Sequence, residues 1–239
     1  MKQIHELLSF KKATKLTCFL FLVSCLSFSA FAADYDTEDP LFFEPAGDLT
    51  LRGGVHGGSD NFGADLRASY GVNDIFVASA NVQYQNKFDD DLGGASNIGF
   101  NLMYRASRET VITDVFAGVR FGWADAPDFL DTVWSAGFRL GHQWNSFTLA
   151  GTFTSNWVFD RYDGLSYIDI TPEAYFRLSE NWRIGADFTF RKSTVPDFDQ
   201  EWVGLKLVRQ YGRTQYVGYG QYEFSDSDWR AGLRMNVFF

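Results

Sequence analysis

A transmembrane, antiparallel, up-and-down β-barrel of about twelve strands is the all-β fold the sequence predicts. Apolar and polar residues alternate with period two in segment after segment. The connections between those segments run short, then long, then short again. Phe, Tyr and Trp make up 18% of the 239 residues, more than a soluble core needs and suited to a lipid-facing wall.

The elements follow in order. Lys11, Lys12 and Lys15 precede an apolar run from Leu16 to Phe31, and Ala30-Phe31-Ala32 ends it with small residues at the right spacing. Residues 1–32 therefore read as an export signal, cut between Ala32 and Ala33 and too short for a spanning helix. A rival reading takes Leu22-Val-Ser-Cys25 as a lipoprotein box that leaves Cys25 lipidated. Cys18 and Cys25 are the two cysteines and both lie in this signal, so the chain beyond it offers no disulfide and no thiolate metal site. Removing the four lysines and one glutamate of the signal takes the formal charge from −9 to −12, which excludes a nucleic-acid binder built on a basic patch.

Residues 33–47 form an acidic stretch with two prolines and the pair Phe42-Phe43. It reads equally as a flexible periplasmic leader and as a plug tucked into a lumen. Residues 48–239 form the barrel, with strands expected at 48–56, 63–71, 75–85, 96–105, 111–123, 132–142, 147–158, 167–177, 182–191, 201–210, 214–223 and 229–239. Small changes of boundary would give ten or fourteen. Phe76, Ala78, Ala80, Val82 and Tyr84 share a face, as do Ile98, Phe100, Leu102 and Tyr104. The same holds for Trp134, Ala136, Phe138 and Leu140, and for Trp182, Ile184, Ala186, Phe188 and Phe190. Pro172 falls inside a strand and is expected to mark a bulge. The facing of 214–223 stays ambiguous, with Tyr216 and Tyr222 on one side and Val217 and Tyr219 on the other.

Short turns lie at 72–74, 107–110, 144–146, 179–181 and 211–213. The other connections are mostly longer and acidic, including Asp89-Asp90-Asp91. This arrangement places Tyr70, Tyr104, Trp144, Trp182 and Phe239 at one rim and Tyr84, Trp123, Trp134, Trp157 and Trp229 at the other, as two aromatic belts. The segment Trp229 to Phe239 alternates to its end, with Leu233, Met235, Val237 and Phe239 on the apolar face. A last strand ending in Phe resembles the assembly signal of Gram-negative outer-membrane β-barrels. That resemblance implies export to the outer membrane and recognition by the barrel-assembly machinery and periplasmic chaperones. It also implies contact with outer-membrane lipids and lipopolysaccharide.

Function has to be read from the inward face. Opposite the apolar stripes lie Arg52, Asp65, Arg67, Asp114, Arg120, Arg139, Asp169, Glu173, Arg177, Arg183, Asp187, Arg191, Lys206 and Arg234. Lipid would expel these charges, so they belong in the lumen or at its rims. Basic groups outnumber acidic ones there although the whole chain is acidic. The set reads as the lining of a pore for small polar or anionic solutes, or as salt bridges that stiffen a closed interior. Strand number, length and an arginine-bearing interior resemble the small monomeric porins of the oligogalacturonate and sialic-acid channel type. The resemblance is architectural and implies a passive channel; no binding residue is carried over from it.

Two other classes of function compete. A non-conducting structural or adhesive barrel would display the acidic loops. A lipid hydrolase of the outer-membrane type would have to use His56 and Ser59, but their spacing puts them on opposite faces of a strand unless Gly57-Gly58 turns the chain. His142 reads as an interfacial anchor. No catalytic residue, cofactor or resident metal is expected. Divalent cations at Asp89–Asp91, Asp125, Asp128 and Asp131 would be a softer role for the loops.

Overall fold

Each period-two segment of the sequence forms a strand. The computed structural model describes residues 36–59, 61–87, 94–124, 132–159, 165–194 and 199–239. The signal with Cys25, Asp60, the loop acids Asp89–Asp91, Asp125, Asp128 and Asp131, and the side chain of Trp123 lie outside the described residues. The strands are β1 (Leu49–Gly58), β2 (Asn61–Asn73), β3 (Phe76–Lys87), β4 (Gly94–Arg108), β5 (Ile112–Ala124) and β6 (Thr132–Gln143). They continue as β7 (Phe147–Phe159), β8 (Ser166–Arg177), β9 (Trp182–Ser193), β10 (Gln200–Tyr211), β11 (Thr214–Glu223) and β12 (Asp228–Phe238). Every boundary falls within three residues of the expected one.

Neighbours in sequence pair antiparallel, and β12 returns to β1 to close the barrel. The closing ladder sets Leu51 against Val237 and Val55 against Leu233, and the Phe239 amide donates to the Leu49 carbonyl at 2.9 Å. Closure leaves no unpaired edge, which is the condition for strands to cross a lipid layer.

The outward stripe is apolar and uncovered. Leu233 is 69% exposed and Leu205 60%, values that suit lipid and not water. Tyr70, Tyr104, Trp144, Trp182 and Phe239 stand exposed near the short turns. Tyr84, Trp134, Trp157 and Trp229 stand exposed toward the other end, and Trp134 pairs with Trp157 across the β6–β7 ladder. Local chemistry makes the short turns. The Asn73 side-chain oxygen accepts the amides of Ile75 and Phe76 at 2.9 and 2.8 Å. At Gly212 the backbone takes φ 57°, where a side chain would be strained.

Two points of the sequence reading are corrected or resolved. Pro172 makes no bulge, because the β8–β9 register runs from Ile170↔Phe190 to Glu173↔Asp187 without a shift. The ladder leaves Thr171 and Pro172 unpaired toward β9, and the Thr171 and Thr189 hydroxyls meet at 2.9 Å across that gap. True bulges lie instead at Gly71–Asn73 in β2 and Arg105–Ser107 in β4, both beside the short turns. On β11, Tyr216 and Tyr222 face outward, while Val217 is buried inside against Tyr175 and Val208.

The acidic leader enters the barrel. Residues 36–47 form successive turns, with the Asp39 amide donating to the Asp36 carbonyl and the Phe42 amide to the Asp39 carbonyl, each at 3.0 Å. They touch inward side chains of β4, β6, β7, β8, β9, β10, β11 and β12. Contacts around the circumference place the leader inside the lumen, at the end with the short turns.

Candidate solute pathway

Above the leader, toward the longer connections, lies a cavity of about 1220 Å³. Its wall carries Arg52, Arg67, Arg120, Arg139, Lys206, Arg230 and Arg234, with Asp65, Glu173 and Asp187 and a set of Asn and Gln side chains. The inward period of each strand puts them there: even residues on β1, β5 and β12, odd ones on β2 and β9. Strands six apart face each other across a twelve-stranded barrel. Arg67 on β2 therefore stands on the wall across from Glu173 on β8. Glycine makes room for two of these groups. A Cβ on Gly204 would lie 2.4 Å from the Asp187 carboxylate, and one on Gly185 would lie 2.5 Å from the Lys206 stem.

The leader supplies the floor. The Glu38 carboxylate accepts from Arg234 at 3.1 and 3.3 Å and from the Asn236 amide at 3.0 Å. Arg52 and Lys206 stand at 3.9 and 3.7 Å from it, and the Lys206 ammonium also donates to the Glu38 backbone carbonyl at 2.7 Å. Burial pushes this carboxyl up, but the cations of Arg52, Lys206 and Arg234, with Asn236, outweigh burial and hold it at about 2. Asp36 meets Arg183 at 2.5 Å and accepts from the Tyr175 hydroxyl at 2.7 Å and Gln215 at 2.8 Å. There burial prevails over those partners and raises the carboxyl. Asp39 accepts from Thr148 at 2.7 Å and Gln143 at 3.1 Å.

A second node sits beneath. Asp114, fully buried, accepts four hydrogen bonds: from Arg105 at 2.7 and 3.0 Å and from Arg139 at 3.0 and 2.5 Å. The same two guanidiniums donate to the leader carbonyls of Leu41 and Phe42 at 2.8 and 3.2 Å. Arg105 also covers the Phe43 ring at 4.4 Å, and Phe42 packs edge-on against Phe238. At Gly71 the leader backbone comes so close that a Cβ would lie 1.9 Å from the Pro45 carbonyl oxygen.

Of the residues singled out as pore lining, Arg52, Arg67, Arg120, Arg139, Glu173, Asp187, Lys206 and Arg234 border the cavity. Asp114 and Arg183 point inward but lie buried, Arg183 under Asp36 and Asp114 beneath Arg105 and Arg139. Arg191 stands higher on the wall, bonded to Asp169 at 2.8 and 3.0 Å and stacked between Tyr167 and Trp202. Arg105 and Arg230 were absent from the sequence-derived set, although each has the inward parity of its strand. Tyr175, Gln215 and Asn236 are uncharged, and nothing in the sequence marks them as leader contacts.

His56 lines the cavity, and its Nε2 is buried without a hydrogen-bond partner among the described residues. Ser59 instead donates to Asp228. The two do not form a nucleophile–base pair. His142 faces outward against Trp144 at the short-turn rim. Among the described residues, no group of three or more His, Cys, Asp or Glu is placed to hold a metal ion.

The sequence matches no protein-family model and no curated protein. Solved structures do match. A KdgM porin aligns with TM-score 0.63 and 9% identity over 79% of this chain and 98% of its own. A NanC porin aligns with TM-score 0.61 and 12% identity over 80% and 98%. An outer membrane channel from Pseudomonas putida F1 aligns with TM-score 0.59 and 10% identity over 88% of this chain and 100% of its own. At such identities the likeness is one of fold: this chain has the closed twelve-stranded architecture of the small porin-like outer-membrane barrels.

Proposed function

We propose that the protein is a porin-like channel of the outer membrane for passive diffusion of small polar or anionic solutes. The observation that carries this reading is the cation-rich cavity of about 1220 Å³ inside a barrel whose outer wall is bare and apolar. A KdgM porin of similar fold has been solved in complex with disordered oligogalacturonate, which fits a channel for anionic solutes. Outer-membrane residence follows from the same reading, with Leu233, Met235, Val237 and Phe239 as the segment offered to the assembly machinery.

The test is conductance of the refolded mature protein in a planar bilayer, with ion preference taken from the reversal potential. Discrete steps with anion preference are expected, and the preference should fall in Arg67→Glu and Arg120→Glu. A barrel that inserts yet stays silent under every condition would overturn the channel reading in favour of a structural barrel.

A further inference from the structure

The leader from residue 36 to residue 47 carries four carboxylates and no basic group. Three of the four, on Asp36, Glu38 and Asp39, bond donors on the barrel wall. Glu38 has the most developed site. Arg52 on β1, Lys206 on β10, and Arg234 and Asn236 on β12 converge on one carboxylate that is 3% exposed. Arg52, Lys206 and Arg234 also border the cavity, so a solute in the lumen meets three of the four groups.

We propose that the leader is a tethered ligand: Glu38 fills a carboxylate-binding site formed by Arg52, Lys206, Arg234 and Asn236, and a free polycarboxylate in the lumen competes for that site and displaces the leader. The inference rests on the anionic-solute channel reading for its physiological sense, and on its own geometry for the site.

Three features make the leader releasable. It belongs to no strand, so its departure breaks no rung of the barrel ladder. It joins β1 through Gly47, whose φ of 86° is a backbone setting open to glycine, and Asp48. Its grip at Glu38 is ionic and polar, and an incoming carboxylate replaces those side-chain contacts. Without the leader, Arg52, Lys206, Arg183 and Arg234 would lose their carboxylate partners there, and the wall would become more basic on the side where the leader now sits.

The probe is citrate, and the readout is access to residue 41. Leu41 is 3% exposed beneath the wall, so a Leu41→Cys variant of the mature chain should react slowly with a bulky maleimide, seen as a gel shift. Citrate should speed the reaction about tenfold over sodium chloride of equal ionic strength, with sucrose inert. Glu38→Gln should be fast without citrate and insensitive to it. Gly71→Val should also be fast, because it pushes Pro45 away while leaving every charge in place. Retained compact migration of unheated samples on gels will show that the barrel is folded in each case. Equal rates in citrate and sodium chloride, or a slow Glu38→Gln protein, would overturn the proposal. A silent barrel whose residue 41 still answers to citrate would remove the channel reading and leave the site. An anion-selective channel whose residue 41 does not answer would do the reverse.

Discussion

Replacing Asp114 by Ala should cost about 3–5 kcal/mol of barrel stability, the range for removing one partner of a buried ion pair. The figure follows from the surroundings. Asp114 accepts four charge-assisted hydrogen bonds from two guanidiniums on the strands either side of it. Their gross worth at about 1.5–3 kcal/mol each would exceed the range, but such bonds are not additive, and the cavity bordered by Arg139 lets water recover part of the loss. What remains is two like charges on side chains only 10% and 17% exposed, with no carboxylate between them. Asp169→Ala is the control. It breaks a comparable two-bond contact with Arg191, but the partners are 26% and 20% exposed, so about 1 kcal/mol or less is expected. Guanidinium-induced unfolding in lipid vesicles, followed through the seven tryptophans, measures both. A cost for Asp114→Ala below about 1 kcal/mol, or no larger than that of Asp169→Ala, would refute the claim that burial sets the worth of this node.

Acid should loosen the leader. The docked Glu38 carboxyl sits at about 2 against an ordinary 4.5, so its contribution is complete above pH 4.5 and disappears as pH falls through 2. That gap is worth about 3 kcal/mol, less what Asp36 returns, since its raised carboxyl favours docking at low pH. A nitroxide at Leu41→Cys should show line sharpening between pH 4.5 and 2, and an unchanged line shape would refute the assignment. Leu233→Lys puts a charge on the lipid face and should cost about 2–4 kcal/mol in the same unfolding assay; a neutral result would mean that this face does not meet hydrocarbon. Deleting Phe239 removes the amide that donates to Leu49 and should lower the fraction of heat-modifiable barrel in cell membranes. Assembly at the full level would count against a role for that residue in insertion.

Much of the fold was legible because its cause is local. A strand with one wall in lipid and the other in a lumen must alternate, and Phe100, Leu102 and Tyr104 against Asn97, Asn101 and Met103 show that alternation without help from distant residues. The same parity marks Arg105 as inward, so its omission was a missed inference and not a missing signal. The leader is different in kind. Apart from Arg52, its hydrogen-bonding and ion-pairing side-chain partners lie from 64 to 199 residues away in sequence, and they come from many strands. Beyond Glu38 and Arg52, no short window of the chain contains both halves of one of these contacts. An acidic stretch with two prolines reads the same whether water or arginine surrounds it. Only the excess of inward cations in an acidic chain hinted that a counter-charge was owed. Pro172 misled because a proline can be absorbed by leaving two rungs unpaired as well as by inserting a residue.

The Glu38 site has a consequence for the order of folding. Its ligands come from β1, β10 and β12, with sequence separations of up to 198 residues. The site therefore does not exist until the first and last strands have met, and Glu38 cannot serve as a nucleus around which they gather. Docking must be a late event that follows ring closure. Contacts made only after closure slow the opening of a finished barrel without hastening its formation. Glu38 thus acts as a latch on completed molecules, and a chain stalled short of β12 would lack the Arg234 and Asn236 that hold it.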